Sequence, residues 1–349
     1  MSLPYDFELL AEVTETSGVP GYEDRVREIV RRELEPAVDR VRTDAMGNVV
    51  GTIEGGGTDI VVAAHMDEIG FMVRHVTDDG FVRVDALGGW DPRVLKAQRV
   101  TVHTDDGDVQ GLIGSVPPHT LDEEQLEAKP DVEDVHIDLG LDGEEAQERI
   151  SRGDLVTLEQ TTERVGDVAT GKALDDRVCL FAMLEAARRI DDPDVTIHFA
   201  ATVQEEVGIR GAQALGFDLD PDLAIALDVT VANDVPGFEP ADHVTELGEG
   251  TAIKLKDSSV ITTPKVHGRL QDVAEAEGID HQLEVLPAGG TDTAGFQRAS
   301  GATPVGALSI PTRYLHTVTE SAHVDDVAAT IDLLTAFLET ETGNHDYTL

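Results

Sequence analysis

Three short apolar segments of this chain are each followed by residues that can bind a metal ion. The segments and the residues after them are 60–64 with His65, 196–203 with Glu205 and Glu206, and 223–227 with Asp228. Nearly continuous apolar runs of this length are typical of parallel β-strands that are covered on both faces. Ligands of such sheets bind beyond the carboxyl ends of the strands. The pattern therefore predicts an α/β fold with a central, mostly parallel sheet flanked by helices, and one crevice that collects the polar residues.

Two further segments add candidate ligands of the same kind. Asp175 stands at the start of a predicted helix, next to Asp176, and His316 follows a loop-like segment. Two histidines with several carboxylates form a ligand set that a borderline cation such as Zn²⁺ takes from proteins. We interpret Asp176 as an N-cap of its helix. Asp67 lies two residues after His65, so that on a strand it can accept the second N–H of the imidazole.

Composition narrows the class of protein. Acidic residues number 69 against 26 basic residues, which gives a formal net charge of −43 and argues against nucleic-acid and anionic-membrane partners. The acidic residues are spread along a chain that keeps regular apolar runs, so disorder is a poor explanation and a halophilic cytoplasm is a better one. Cys179 is the single cysteine, which fits a reducing, cytoplasmic location.

The local pattern divides the chain into two predicted domains. Residues 69–162 show short alternating strands separated by glycine and proline turns, which indicates a β-barrel-like insert. Residues 1–68 and 163–349 alternate between helix and strand and form the predicted catalytic domain. The predicted elements of this domain are a helical region at 6–40 with a helix over 24–34, two strands within 41–64, and helices over 176–189 and 325–339.

Taken together, the motifs resemble the TET aminopeptidases, a family of dinuclear-metal exopeptidases related to deblocking and glutamyl aminopeptidases. The matching segments are residues 65–70, 174–177, 204–208, 226–228, 289–292 and 313–316. The resemblance implies a zinc-exopeptidase type of fold whose inserted barrel mediates dimerisation. It also implies a metal-dependent aminopeptidase that removes amino-terminal residues from short peptides, in a tetrahedral dodecamer built from dimers.

The resemblance also implies a role for each site residue. Asp175 would bridge two divalent metal ions, with zinc the first choice and cobalt or manganese as alternatives. The remaining metal ligands would be His65 and Asp228 at one ion and Glu206 and His316 at the other. Glu205 would be the general base, Asp67 would orient His65, and the peptide bond between Asp175 and Asp176 would be cis.

Two other functions fit parts of the sequence. A glycoside hydrolase could use the carboxyl groups of Glu205 and Glu206, but the chain is 4% aromatic with Trp90 as its one tryptophan, which leaves few platforms for sugar rings. A non-enzymatic acidic scaffold would bind salt cations only. His119 is a weak additional site candidate.

The predicted substrate preference rests on charge. Among the site segments the basic residues are Arg177, Arg210 and Arg313. They form no cluster, so we expect neutral or apolar amino-terminal residues to be preferred over acidic ones.

Overall fold

The structure, a computed structural model, describes residues 3–127, 129 and 131–349. Its α-helices are α1 (Phe7–Glu15), α2 (Asp24–Leu34), α3 (Glu123–Glu127), α4 (Gly143–Arg149), α5 (Leu174–Ala187), α6 (Arg210–Leu219), α7 (Pro264–Glu277), α8 (Asp292–Gln297) and α9 (Val324–Glu339). Its strands are β1 (Arg40–Thr43), β2 (Val49–Ile53), β3 (Asp59–His65), β4 (Gly70–Val76), β5 (Phe81–Leu87), β6 (Gln98–Thr104), β7 (Gly107–Ile113), β8 (His136–Asp138), β9 (Leu155–Leu158), β10 (Glu163–Val165), β11 (Val168–Gly171), β12 (Thr196–Thr202), β13 (Leu223–Val231), β14 (Thr251–Lys256), β15 (His281–Val285), β16 (Val305–Arg313) and β17 (Glu320–His323).

The large sheet carries the site at its centre. Its strand order is β1-β2-β12-β3-β13-β16-β17-β11-β10, and β14 pairs with β16 on one side and with β15 on the other. The four central strands β12, β3, β13 and β16 run parallel, whereas the flanking pairs are antiparallel apart from β14 with β15. The predicted α/β class with a central sheet is confirmed, and the parallel part is confined to the middle of the sheet.

Burial on both faces explains why the central strands are apolar along their length. Every residue of β12 is buried, and so is every residue of β3 after Asp59. Helix α5 packs on β3 and is itself covered by α1 and α9, so that Val178–Ala187 is buried on all sides. A helix in such a position is expected to be apolar all round rather than amphipathic.

The inserted segment forms a closed antiparallel barrel in the order β4-β5-β8-β7-β6-β9. Closure leaves no free edge strand, which is one way in which small β-structures avoid aggregation. The barrel has its own core, which includes Phe71, Val82, Val100, Ile137 and Val156. The β-barrel-like insert predicted from the sequence is confirmed, and all six of its strands lie within 69–162.

Segment 41–64 differs from the prediction of two strands. The chain forms a hairpin of β1 and β2 followed by β3, because a turn centred on Asp44 interrupts the first predicted strand. The carboxylate of Asp44 accepts hydrogen bonds from the backbone N–H groups of Met46, Gly47 and Asn48. This side chain therefore stabilises the turn that separates β1 from β2. Within the described residues, no helix has the length and apolar character needed to cross a membrane.

Candidate metal centre

The topology brings the predicted ligand segments to one edge of the sheet. His65 is the last residue of β3, and it lies beside Thr202, the last residue of its neighbour β12. Glu205 and Glu206 lie three and four residues after the end of β12, and the loop with His316 follows β16. Because these central strands are parallel, their carboxyl ends meet. Asp228 departs from the expected position, since β13 continues three residues past it to Val231.

Asp175 lies at the centre of this group. One carboxylate oxygen, Oδ1, is 3.3 Å from Nε2 of His65, and the other, Oδ2, is 3.3 Å from Nε2 of His316. Nε2 of His316 is also 3.7 Å from Oε1 of Glu206. The two oxygens of one carboxylate therefore face two different imidazoles, which is the geometry that a bridging ligand requires. The peptide bond between Asp175 and Asp176 is cis, as the resemblance implies.

Both imidazoles are held through their second nitrogen. Nδ1 of His65 donates to the carbonyl of Asp67 at 3.0 Å, and Nδ1 of His316 donates to the carbonyl of Gly89 at 2.6 Å. Since a carbonyl can only accept, these bonds fix Nε2 as the nitrogen with a free lone pair in the neutral ring. Gly89 lies just after β5, so the inserted barrel takes part in placing His316.

Asp67 holds the loop that carries the two glutamates. Its Oδ1 accepts the backbone N–H of Glu205 and its Oδ2 accepts that of Glu206, each at 3.0 Å. The side chain is fully buried, and its Oδ1 is 3.6 Å from Nδ1 of His65. The hydrogen bond of His65 thus goes to the carbonyl of Asp67, while the carboxylate acts mainly on the backbone of the Glu205–Glu206 loop.

Asp176 has a non-helical backbone and directly precedes the regular part of α5, as the N-cap prediction requires, but its side chain binds elsewhere. Its Oδ2 accepts the backbone N–H of His65 at 3.1 Å, and its Oδ1 has no hydrogen-bond partner among the described residues. Potential ligand atoms form two groups, and within each group all atoms lie within 4.8 Å of one another. One group is His65, Asp175 and Glu206, and the other is His65, Asp176 and Asp228. The sequence did not single out Asp176 as a site residue, because an acidic residue at a helix start is usually a cap.

The donor set fits a multivalent cation. Oε1 of Glu206 and Oδ1 of Asp176 are buried without a hydrogen-bond partner in the described chain, which is costly for a carboxylate unless a cation compensates it. Burial raises the pKa of Asp228 to about 8. The charge of Asp175 acts in the same direction, and those of His65 and Lys254 act in the opposite direction. Burial and the neighbouring Asp175 likewise raise the pKa of Glu206 well above its usual range. Such carboxyl groups ionise readily only beside positive charge.

Glu320 is a site-supporting residue that sequence reasoning missed. It is buried, its Oε2 accepts the backbone N–H of Asp175 at 3.0 Å, and its Oε1 accepts that of His316 at 2.7 Å. One carboxylate therefore joins the two segments that carry these ligands. The available signal was its position four residues after His316, at the start of the otherwise uncharged strand β17.

A buried ion pair lies next to the candidate site. Glu68 follows Asp67, Lys172 precedes the Asp175 segment, and Oε2 of Glu68 lies 2.6 Å from Nζ of Lys172. Burial lowers the pKa of Lys172, against the opposing effect of Glu68. Arg177, one of the basic residues in the site segments of the sequence, is fully buried. It donates to the backbone carbonyl of Val13 near the end of α1 and to those of Thr16 and Gly18 just after the helix. It therefore anchors the amino-terminal region and does not face substrate.

A cavity of about 350 Å³ opens beside the candidate ligands. Its walls include Asp175, Glu205, Glu206, Asp228, Lys254, Thr291 and His316, with apolar surface from Val229, Val231, Leu286, Ala288 and Leu315. The predicted loop at 289–292 thus lines the site through Thr291, whereas Asp292 is buried and hydrogen-bonded to Thr202.

The other residues considered from the sequence lie outside this cavity. Arg210 is exposed at the start of α6, and Arg313 pairs with Asp234 at 2.6 Å. His119 is exposed on a short 3₁₀ turn of the insert, Pro118–Thr120, and it borders neither ligand group. Lys254, which the sequence analysis did not consider, is the basic side chain that borders the cavity.

Fold and site together define a metal-dependent aminopeptidase: an α/β domain presents histidines and carboxylates at the ends of its parallel strands, and a barrel is inserted after the first of them. The sequence agrees with this class over most of its length. The chain belongs to the M42 glutamyl aminopeptidase family, whose profile matches residues 47–333.

Individual relatives agree with this assignment. A lysyl aminopeptidase of Pyrococcus furiosus is 37% identical over 343 residues, which cover 96% of this chain and 97% of that protein. An aminopeptidase structure from Desulfurococcus kamchatkensis has a TM-score of 0.92 at 38% identity and covers 96% of this chain and 94% of that one. The Pyrococcus horikoshii TET1 peptidase, which can assemble into a tetrahedron or a large octahedral shell, has a TM-score of 0.87 at 33% identity, with coverage of 96% and 99%.

Proposed function

We propose that the protein removes amino-terminal residues from short peptides with the help of two divalent metal ions held by five side chains. These ligands are His65, Asp175, Glu206, Asp228 and His316, with Asp175 shared between the ions. The observation that carries the proposal is the placement of the two Asp175 oxygens, each 3.3 Å from the Nε2 atom of a different histidine. Zinc is the first choice of metal, and cobalt or manganese also suits this ligand set.

Bound cations would supply Lewis acidity toward the scissile carbonyl and would lower the pKa of a water molecule. The chain's own contribution is proton transfer and positioning. Glu205 borders the cavity beside the ligands, and burial, together with the nearby Asp228 and Asp292, raises the pKa of its carboxyl group against the effect of His65. A carboxyl group with a raised pKa is suited to take a proton from water and to return it to the leaving amine. Asp67 holds the Glu205 backbone in place.

The glycoside hydrolase alternative is less well supported. Trp90 stacks on Phe71 with ring centroids 4.9 Å apart, and its indole N–H donates to the carbonyl of Gly70. One face of the indole ring is therefore covered by Phe71, and the ring is fixed against the barrel core. A glycosidase would also leave the arrangement of His65 and His316 around Asp175 without a purpose.

We also propose a tetrahedral dodecamer assembled from dimers through the inserted barrel, residues 69–162, with residues 1–68 and 163–349 as the catalytic unit. The support is the likeness to the TET1 peptidase, which assembles into a tetrahedron or an octahedral shell. Active sites that face an enclosed interior would admit short peptides and exclude folded proteins. The barrel also reaches the site directly, through the hydrogen bond between Gly89 and His316.

The roles are tested with Glu205→Gln and a panel of aminoacyl chromogenic substrates at high salt. The variant keeps the size of the side chain and removes its basicity, so it should retain metal while kcat falls by about 10²–10⁴-fold. Glu239→Gln, at an exposed glutamate of a surface loop, is the matched control and should behave like the wild type. Near-normal turnover by the Glu205 variant would contradict the role of Glu205 as the base.

A further inference from the structure

The floor of the cavity beside the ligands contains a buried group of one lysine and two carboxylates. Lys254 lies on β14, and its register partner on the adjacent β15 is Glu284. Nζ of Lys254 is 3.0 Å from Oε1 of Glu284 and 3.4 Å from Oδ2 of Asp257, and all three side chains are fully buried. Of the three, Lys254 borders the cavity.

The two carboxylates of this group are held differently. Oδ1 of Asp257 accepts the backbone N–H groups of Ser259 and Val260, so this residue also fixes a turn. Glu284 has no well-aligned hydrogen-bond donor within the described residues, and the charge that compensates it is the ammonium of Lys254. Glu284 therefore acts chiefly on Lys254, which makes it the better residue to change.

The group lies behind the wall of the space that a bound substrate would occupy, close enough for its charge to act there. A peptide whose amino terminus lies at the five proposed metal ligands would have the adjoining cavity next to its first side chain, because Asp175, Asp228 and His316 form part of the cavity wall. The volume of about 350 Å³ lies within the range of ordinary ligand pockets. The remaining wall is largely apolar, with Val229, Leu286 and other small or aliphatic residues.

We propose that Lys254, neutralised by Glu284 and Asp257, determines the specificity of this cavity for uncharged amino-terminal side chains. An acidic side chain gains little from an ammonium that two carboxylates already balance, and it would also be close to the acidic ligands. A basic side chain would carry the same charge as the ammonium of Lys254 behind the cavity wall. This inference rests on the proposed function and adds the substrate class to it. The family is that of the M42 glutamyl aminopeptidases, and one relative is a lysyl aminopeptidase. Relatedness therefore does not determine which amino-terminal side chain this protein prefers.

The experiment is a change of one charge with no change of shape. In Glu284→Gln the ammonium of Lys254 loses its nearest counter-charge, so an acidic substrate side chain should be attracted to it. The measured quantity is the ratio of kcat/KM for glutamyl and leucyl p-nitroanilides at saturating metal and constant salt. We expect this ratio to rise by about tenfold or more, since unit charges a few ångströms apart in a protein interact strongly. Glu277→Gln, an exposed glutamate on α7 with the same change in net charge, should leave the ratio unchanged.

A double variant assigns the effect to Lys254. Adding Lys254→Met to Glu284→Gln removes the ammonium, so the gain in glutamyl cleavage should disappear. A ratio that stays at the wild-type value in Glu284→Gln, or that rises equally in the double variant, would overturn the inference. If Glu284→Gln lacks a cooperative melting transition, Asp257→Asn carries the same prediction for the ratio. A wild type that cleaves none of the unblocked aminoacyl substrates, with metal supplied, would contradict the proposed function itself, which is a separate outcome.

Discussion

The carboxylate of Asp67 accepts the backbone N–H of Glu205 at 3.0 Å, and its second oxygen binds the next N–H in the chain at the same distance. The segment that carries the proposed base and one proposed ligand is thus fixed by a side chain that need not bind metal itself. Supporting residues of this kind commonly affect metal affinity and activity by about 10–100-fold.

Asp67→Asn should therefore lower both kcat and metal affinity. An amide can accept only one of the two N–H groups and presents its own N–H₂ to the other, which leaves the loop incorrectly held. We expect a fall in kcat of about 10–100-fold. Asp105→Asn, at an exposed aspartate of the barrel, is the control. A variant of Asp67 with kcat within twofold of the wild type would show that the two hydrogen bonds are dispensable.

Glu320→Gln tests the link between the segments of Asp175 and His316. Glutamine keeps one acceptor and turns a donor toward the second backbone N–H, so one of the two segments should shift. The dissociation constant for zinc should increase by about 10–100-fold, measured by competition with a chromogenic chelator and so without reference to activity. Glu339→Gln, at the exposed end of α9, should not change it. Equal zinc affinity in the two variants would rule out the positioning role of Glu320.

The pH dependence of stability has a predicted contribution from Asp326, which lies in the first turn of α9. Burial raises the pKa of its carboxyl group to about 6, although the backbone N–H groups of Gly248 and Gly250 act in the opposite direction. The folded state then binds the proton more tightly than the unfolded chain. The stabilising contribution of this raised pKa is complete below about pH 4 and is lost as pH rises through about 6, a change of about 3 kcal/mol in the free energy of unfolding.

The measurement for Asp326 compares urea unfolding of the wild type and of Asp326→Asn with chelator present at constant salt. The asparagine does not titrate, so the stability of the wild type relative to the variant should decrease between pH 4.5 and pH 7. A difference that is constant or increases over this interval would mean that the pKa of Asp326 is not raised.

The proposed assembly should depend on salt. With a formal charge of −43 per subunit, a particle of many subunits brings many like charges together. The repulsion between exposed charges extends over a Debye length of ~3 Å at 1 M salt but ~10 Å at 0.1 M. Lowering the salt concentration should dissociate the particle, and activity should fall with it. Analytical ultracentrifugation across a salt series measures this. A fully active species of one subunit, 37.4 kDa, at molar salt would exclude the oligomer. A particle that stays whole at low salt would exclude the halophilic interpretation alone.

The meeting of the candidate ligands at one edge of the sheet could be predicted, because most of them lie at or after strand ends. His65 closes β3 and the two glutamates follow β12, so an apolar run that ends in ligand-type residues was a sufficient signal. The barrel was also predictable, because alternating strands with glycine turns differ from the buried strands around them. The end of β13 was misplaced, since Asp228 is a polar residue inside a strand that continues beyond it.

The residues that the sequence did not reveal act through tertiary contacts. Glu320 matters because of two backbone N–H groups, one of which belongs to a residue 145 positions away. Lys254 reaches the cavity because β14 pairs with β16 beside the centre of the sheet, and no local motif marks it. The Asp44 turn was missed although Asp44, Gly47 and Asn48 are all residue types that favour turns.

Metal removal tests the central claim most directly. The wild-type protein is dialysed exhaustively against chelator at high salt, and zinc is then titrated back while leucyl p-nitroanilide hydrolysis and bound metal are measured in the same samples. The account predicts that hydrolysis is lost with the metal and returns as zinc binding approaches two ions per subunit, and that Asp175→Ala neither binds two ions nor regains activity. Full hydrolytic activity in a sample shown to contain no metal would contradict it.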